Sequence, residues 1–570
     1  MKSGLLRGLT DYGDPEFALY LRRAFAKSMG YSDEMLARPI VGIATSSSGF
    51  NNCHRLMPEL VAAVSRGVLA AGGLAIEFPT ISLGEPFLQP TSMMFRNLMA
   101  MDVEEMIRAQ PMDSVVLAGG CDKTVPAQLM GALSAGKPAI SLVTGPMMVG
   151  RFEGARLGAC TDCRSYWARY RAGELSRERI DEVEANLATT AGTCAVMGTA
   201  STMACVTEAL GMSLPGSATP PAVHAERLRI AEATGRRAVE LAAENITPDK
   251  IVTRDSIENA LRVLVALGGS TNAIIHLTAI AGRLSLPLTL AHFNDVSADT
   301  PVLVNLKPVG DAYMEDFHAA GGMEALLREL APKLKRETLT VAGETLGERI
   351  ARRRPSEYVD RNVIAALDKP LVERDALVAL FGNLAPNGAI LKAAAADARL
   401  LEHEGRAVVF ADLADLAARI DAPDLEVTAD DVLVLKNAGP IGAGMPEAGY
   451  LPIPKKLAEQ GVRDMVRISD ARMSGTAYGA IVLHVSPEAA IGGPLAAVRD
   501  GDRIRLSARV KSLDLLVDAA EIERRLATFR ATPPPSRGYR NLYADHVLGA
   551  EKGCDFDFLL GDAAEPNSGS

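Results

Sequence analysis

The stretch SVVLAGGCDKTVPA, residues 114–127, decides the fold. Ser114 to Ala118 is a short apolar run rich in β-branched residues, too short for a helix and suited to a buried strand. Gly119-Gly120 ends it, Cys121-Asp122-Lys123 follows in the loop, and a helix is expected from about Ala127. The same rhythm recurs on both sides. Val41–Thr45 reads as a strand, followed by the loop SSSGFNNCHR and a helix from about Pro58. Ala75–Pro79 reads as another, followed by a loop carrying Gly84-Glu85-Pro86, and Pro138–Val143 as a fourth, ending in Thr144-Gly145-Pro146. This alternation predicts an α/β protein whose N-terminal parallel sheet has helices on both faces. In such a sheet the loops after the strands share one edge, where ligands bind. Cys53, Glu85 and Cys121 all fall on it.

Further along, residues 177–285 read as mostly helical, and the Ala-, Met- and Thr-rich segment 182–212 as a tightly packed buried helix. Charged helical text runs to about 355, where Arg352, Arg353 and Arg354 suggest a solvated face near a domain boundary. After 356 the texture turns to short β-like runs: Ala389–Leu391, Ala407–Phe410, Asp431–Leu435 and Ala480–Val485. Two domains are therefore expected: 1–355, and a smaller, β-rich, barrel-like domain over 356–570. Arg530–Pro535 reads as a linker and 563–570 as a disordered tail.

The composition narrows the function. The chain has 570 residues, 48% hydrophobic and 23% charged, with a formal net charge of −10. That profile fits a globular protein and argues against nucleic acid or an anionic membrane as partner. No apolar run is long enough for a membrane-spanning helix. Acidic residues near the N-terminus interrupt any signal-peptide core, so a cytoplasmic location is expected. Seven scattered cysteines do not form a disulfide framework.

Cys121-Asp122-Lys123 follows a Gly pair, on backbone that can approach a ligand closely. Soft sulfur beside hard oxygen suits iron and magnesium respectively; a polar loop with a surface ion pair is the plainer reading. Cys194 is expected near the start of the buried helix, where the helix dipole stabilises a thiolate. Cys205, a further ~16 Å along at ~1.5 Å per residue, cannot share one small cluster with it and reads as packing. Cys160-Thr-Asp-Cys163 is a lone C-x-x-C without the second half of a zinc site. Gly439–Gly444 departs from both phosphate-loop patterns. His54, His276 and His484 are isolated. Ser474, before Gly475 in SDARMSGT, can present an exposed hydroxyl, although alone the segment reads as an ordinary turn.

Taken together, eight ordered blocks resemble the dihydroxy-acid dehydratase and phosphogluconate dehydratase family, over about Gly8 to Leu560. They are FNNCHRLMPEL (50–60), LGEPFLQPTSM (83–93), AGGCDKTVPA (118–127), AGTCAVMGTASTM (191–203), GGSTNAIIHL (268–277), GNLAPNGAILK (382–392), GPIGAGMPE (439–447) and SDARMSGTAYG (469–479). The resemblance implies that Cys53, Cys121 and Cys194 hold an iron–sulfur cluster, [2Fe–2S] in preference to [4Fe–4S]. It gives no ligand role to Cys160, Cys163, Cys205 or Cys554. It places Mg²⁺ at Glu85, Asp122, Lys123 and Glu447. Lys123 would ligate as a carbamate formed with CO₂; a free ammonium paired with Asp122 is the alternative. Ser474 would be the catalytic base, with Thr476 positioning the substrate and Lys123 also part of the catalytic set. The blocks lean toward the sugar-acid (aldonate) branch, with L-arabinonate or D-xylonate leading and L-fuconate or D-galactonate next. The other branch acts on 2,3-dihydroxyisovalerate in branched-chain amino-acid synthesis. A homodimer or homotetramer is implied. A zinc hydrolase and a non-catalytic iron–sulfur sensor are distant rivals.

Overall fold

The computed structural model describes residues 3–9, 12–352, 358–531, 533 and 535–561. The expected boundary at 355/356, Arg353, Arg354 and the tail 563–570 lie outside them, as do two residues of the expected linker.

Four strands form the first sheet: β1 (Ile40–Thr45), β2 (Leu74–Pro79), β3 (Ser114–Gly119) and β4 (Ala139–Val143). The order is β2-β1-β3-β4 and every pairing is parallel. All residues of β1, β3 and β4 are buried, as their unbroken apolar text requires when helices cover both faces. A small hairpin, β5 (Gly150–Phe152) and β6 (Ala155–Leu157), follows the sheet.

The second half is a closed barrel. Its strands are β7 (Val378–Gly382), β8 (Ala385–Leu391), β9 (Glu402–Phe410), β10 (Val432–Leu435), β11 (Arg467–Ser469), β12 (Ile481–Ser486), β13 (Arg503–Ser507) and β14 (Ser512–Leu515). They close in the order β10-β11-β12-β8-β7-β14-β13-β9. Closure leaves no free sheet edge. β7, β13 and β14 are short strands that the apolar runs did not single out.

One reading is corrected. Segment 182–212 is not a single helix: helices Arg177–Leu187 and Thr199–Ala209 flank a non-helical stretch that carries Cys194. Gly192 adopts φ +126°, and the Thr193 N–H donates to the Gly145 carbonyl oxygen at 2.9 Å. This loop pairing outcompetes helix propagation, and Cys194 lies ahead of the second helix, beside its first turn, where Ser201 Oγ donates to the Cys194 carbonyl oxygen at 3.2 Å. Cys205, fully buried on the second helix, is packing.

A buried ion pair ties the end of the chain to the first half. Arg283 Nε meets Asp555 Oδ2 at 2.6 Å, with neither side chain exposed, and Arg283 also reaches Glu104 at 3.2 Å. Removing one partner leaves a buried charge uncompensated. Asp555→Ala is therefore expected to cost about 3–5 kcal/mol of stability, and a denaturant melt with an unchanged midpoint would contradict it.

Candidate functional site

The loops after β1 and β3 bring the first two cysteines together. Cys53 lies in the turn Asn52–His54, its N–H held by Asn51 Oδ1 at 3.1 Å. Cys121 sits at φ +74°, a left-handed conformation costly for a residue with a side chain. Gly120 before it has no room for a Cβ, which would stand 1.9 Å from Thr144 Oγ1. His54 links the two loops: Nδ1 donates to the Ser46 carbonyl oxygen at 2.7 Å, and Nε2 accepts from the Gly120 N–H at 2.9 Å. Burial lowers its pKa, and the neutral ring supplies the one donor and one acceptor needed. His54 is thus a satisfied core histidine.

Five sulfurs gather here, those of Cys53, Cys121, Cys160, Cys163 and Cys194. Cys53 and Cys121 lie within hydrogen-bonding reach. Cys160 Sγ lies 3.4 Å from Cys194 Sγ. The pairs are near enough that Cys194 feels Cys53. Bonding to Cys160 and burial push the Cys194 thiol well up, whereas bonds from Cys163 and Cys194 pull Cys160 well down. Cys163 stands beside Cys160, its thiol donating to the Cys160 carbonyl oxygen at 2.6 Å. Cys554 is buried against Met445.

Beside the sulfurs lie the acids. Glu85 accepts from Thr91 Oγ1 at 2.9 Å and from Ser92. Arg472, fully buried, places Nη2 2.9 Å from Glu85 and Nη1 2.5 Å from Glu447, while its Nε donates to the Met445 carbonyl oxygen. Lys123, fully buried, pairs with Asp122. Burial alone would raise the Glu85 carboxyl, but Arg472 and Lys123 hold it at about 2. Burial, with Glu85 and Asp122 nearby, pushes Glu447 up.

The barrel half delivers Ser474 on the loop after β11. A Cβ on Gly198 would meet Thr476 Cγ2 at 2.9 Å and Cys194 Cβ at 3.7 Å, so Thr476 packs beside the cysteine loop. Thr161 Oγ1 donates to the Thr476 carbonyl oxygen at 3.0 Å, and Asn272 Nδ2 to that of Met473 at 3.0 Å. Ser474 Oγ lies 2.8 Å from Thr476 Oγ1. A cavity of about 600 Å³ opens alongside, lined by Cys160, Arg164, Trp167, Tyr450 and Tyr478 among others. Arg164 lies over the Tyr450 ring, 4.9 Å from its centroid, with Nε unpartnered.

The donor set fits the implied groups by its chemistry. Thiolates suit an iron–sulfur cluster, and three carboxylates facing two cations offer hard oxygens to Mg²⁺. Among the described residues no three Cys, His, Asp or Glu side chains form the shell of a single ion. Buried Thr124 Oγ1 and Thr144 Oγ1, flanking the Cys121 loop, have no hydrogen-bond partner.

Two family models match this chain, Dihydroxy-acid/6-phosphogluconate dehydratase N-terminal over residues 38–349 and C-terminal over 362–554. The chain belongs to the dihydroxy-acid/6-phosphogluconate dehydratase family. It is 47% identical to the L-arabonate dehydratase of Azospirillum brasilense, covering 98% of this chain and 97% of that one. It is 45% identical to the 6-deoxy-6-sulfo-D-gluconate dehydratase of Pseudomonas putida (94% and 93% covered). Identity to the dihydroxy-acid dehydratase of Desulfosudis oleivorans is 39% (94% and 97%). This chain is accordingly a dehydratase, a hydro-lyase.

In this dehydratase the structure brings Cys53, Cys121, Cys194, Glu85, Asp122, Lys123, Glu447, Ser474 and Thr476 to one region. Sequence reasoning missed Arg472, although it lies two residues before Ser474 and the acids require a buried cation. It also set Cys160 aside. The GPIGAG turn is occupied internally: the Ile441 and Gly442 N–H groups donate to the Glu488 carboxylate at 2.8 and 2.9 Å, where a nucleotide loop would hold phosphate.

Lys392 also went unnoticed. It is buried, its Nζ makes one long bond of 3.4 Å to the Gly475 carbonyl oxygen, and burial lowers its pKa to about 7. Between pH 7 and the ordinary lysine value the unfolded chain holds a proton that the folded one lacks, so stability rises with pH across that window. Lys392→Met should therefore stabilise the protein, by up to about 5 kcal/mol below pH 7 and by little near pH 10. Melting curves at pH 6 and pH 10 with equal gains would contradict this.

Proposed function

We propose that the protein is an iron–sulfur- and Mg²⁺-dependent dehydratase that converts a sugar acid, L-arabinonate or D-xylonate first among them, to its 2-keto-3-deoxy acid and water. The observation that carries the reading is the meeting of the cysteine loops, the acid array and Ser474 where the two halves of the chain touch. The preference for a sugar acid is supported by the higher identity to the L-arabonate and 6-deoxy-6-sulfo-D-gluconate dehydratases than to the dihydroxy-acid dehydratase.

When bound, the cluster and Mg²⁺ would supply Lewis-acid charge that favours loss of hydroxide and stabilises the negative charge developing on the substrate. Cys53, Cys121 and Cys194 would hold the cluster; Glu85, Asp122, Glu447 and Lys123, the last as its carbamate, would hold Mg²⁺. Ser474 Oγ takes the C2 proton. An ordinary serine hydroxyl is too weak a base at neutral pH, so the step requires that positive charge. Thr476 Oγ1 fixes the Ser474 hydroxyl. Arg472 spaces Glu85 from Glu447 and offsets their repulsion. C2 loses a proton, C3 loses hydroxide, and the enol becomes the keto acid.

The test is 2-keto acid formation by anaerobically purified, Mg²⁺-supplied enzyme on L-arabinonate, D-xylonate, L-fuconate, D-galactonate and 2,3-dihydroxyisovalerate. Preference for an aldonate is expected. Preference for the branched acid would overturn the substrate class. Assembly as a homodimer or homotetramer belongs to the same proposal. It is supported by the exposed aromatic residues Phe17, Tyr20 and Phe25 on the first long helix, and sedimentation tests it.

A further inference from the structure

The turn Gly439–Gly444 is gripped from two sides, and the residue it delivers is Glu447. Three neighbouring barrel strands, β10, β11 and β12, run parallel and end side by side. The segment after β10 carries the turn and Glu447, that after β11 carries Asp470 and Arg472, and that after β12 carries Glu488. Asp470 and Glu488 are both buried, and each of their four carboxylate oxygens accepts a backbone N–H. Asp470 Oδ1 takes that of Ala438 and Oδ2 that of Ala489, both at 2.9 Å. Glu488 Oε1 takes that of Ile441 at 2.8 Å and Oε2 that of Gly442 at 2.9 Å. The Gly439 carbonyl oxygen closes the turn, accepting from the Ala443 and Met445 N–H groups at 3.1 and 3.0 Å. At the far end Arg472 Nε holds the Met445 carbonyl oxygen at 2.8 Å and Nη1 meets Glu447 at 2.5 Å. The Gly449 N–H then donates to the Arg472 carbonyl oxygen at 2.9 Å.

Two buried acids near one another are unfavourable: burial, with Asp470 nearby, pushes the Glu488 carboxyl up to about 7. Apolar contacts would keep a loop in place without that penalty, but aimed acceptors also fix its orientation. A ligating carboxylate keeps its direction through the groups that hold it from behind. We propose that Glu488, with Asp470, is a positioning residue for Mg²⁺: it locks the turn 438–445 so that Glu447 stands opposite Glu85, across Arg472, before the ion arrives. Neither acid is among the residues that would hold the ion; both act through the backbone of the turn. The proposal rests on the Mg²⁺ reading above and deepens it. It also gives a use to the GPIGAG text, whose N–H groups serve an internal carboxylate.

Calorimetric titration of Mg²⁺ into cluster-loaded enzyme stripped of divalent ions tests it, at pH 8, where the Glu488 carboxyl is ionised. Glu488→Gln keeps the shape of the side chain and one acceptor oxygen. It should raise the Kd for Mg²⁺ roughly 10–100-fold, with iron content and visible absorbance unchanged, and excess Mg²⁺ should restore turnover. Gly439→Ala should do the same from the side of the turn, because its Cβ would stand 2.5 Å from Glu488 Oε2. Glu551 is near Glu488 but accepts from Ser486 Oγ at 2.5 Å, so Glu551→Gln should titrate as wild type. An unchanged Kd in both Glu488→Gln and Gly439→Ala would overturn the proposal, as would a loss of turnover that excess Mg²⁺ does not restore. Wild-type enzyme that takes up no Mg²⁺ would remove the Mg²⁺ reading itself, and this one with it. Should neither variant fold, hydrogen exchange of the wild type decides. Peptide 437–445 is expected to be protected before Mg²⁺ is added, and exchange as free as that of an open loop would overturn the proposal.

Discussion

Ser474→Ala is expected to keep the brown absorbance of the cluster and to lose turnover. Loss of a positioned general base lowers kcat by roughly 10²–10⁴-fold. The hydroxyl contributes little to holding its loop. Arg472 binds the Met445 carbonyl oxygen and both acids, Asn272 binds the Met473 carbonyl oxygen, and Thr161 binds that of Thr476. Those bonds survive the substitution, so KM and the melting temperature should move little. Gly475 also stays, packed where a Cβ would lie 2.5 Å from Ser270 Cβ. The substitution removes the hydrogen bonds of Ser474 Oγ with Thr476 Oγ1 and with the Thr476 N–H. Steady-state kinetics with absorbance spectra check this; full activity in the variant would take Ser474 out of the mechanism.

Cys121→Ser is expected to abolish both the cluster and the activity. Serine keeps the shape of the side chain and the same backbone demand at φ +74°, but replaces a soft sulfur donor with a hard oxygen. Cys121 is buried, with Cys53 the sulfur beside it. Iron per chain should fall to near zero and the visible absorbance should vanish. The sheet beneath, whose residues at β1 and β3 are fully buried, should remain folded by circular dichroism. Retention of iron and colour would show that Cys121 is not a ligand. Paired with the serine variant, this separates a site that lacks its cofactor from one that holds it and lacks its base.

Much of this was legible in the chain because its signals are local. An all-apolar run such as Val115–Leu117 has one good use, a strand covered on both faces, and Gly119-Gly120 marks the exit from it. A loop after each strand then puts Cys53, Glu85 and Cys121 on one edge without knowledge of any distance. The barrel strands with strong apolar text, such as Val432–Leu435, were readable for the same reason. Short strands such as β13, Arg503-Ile-Arg-Leu-Ser507, alternate polar and apolar residues, a period-two signal that a search for unbroken apolar runs passes over. Segment 182–212 misled because helix propensity is a weak preference, overridden at Thr193 by a hydrogen bond to Gly145, far away in sequence.

The sequence by itself determined the α/β order, the residue types of the site and the family blocks that contain them. Only the tertiary structure decided which groups act on one another. Arg472 becomes the bridge between Glu85 and Glu447 because loops hundreds of residues apart are packed together. Cys160 stands beside Cys194 because one backbone hydrogen bond joins their loops, and Lys392 loses its water because the barrel closes over it. Burial and through-space charge depend on distance in the folded chain, which spacing along it does not encode.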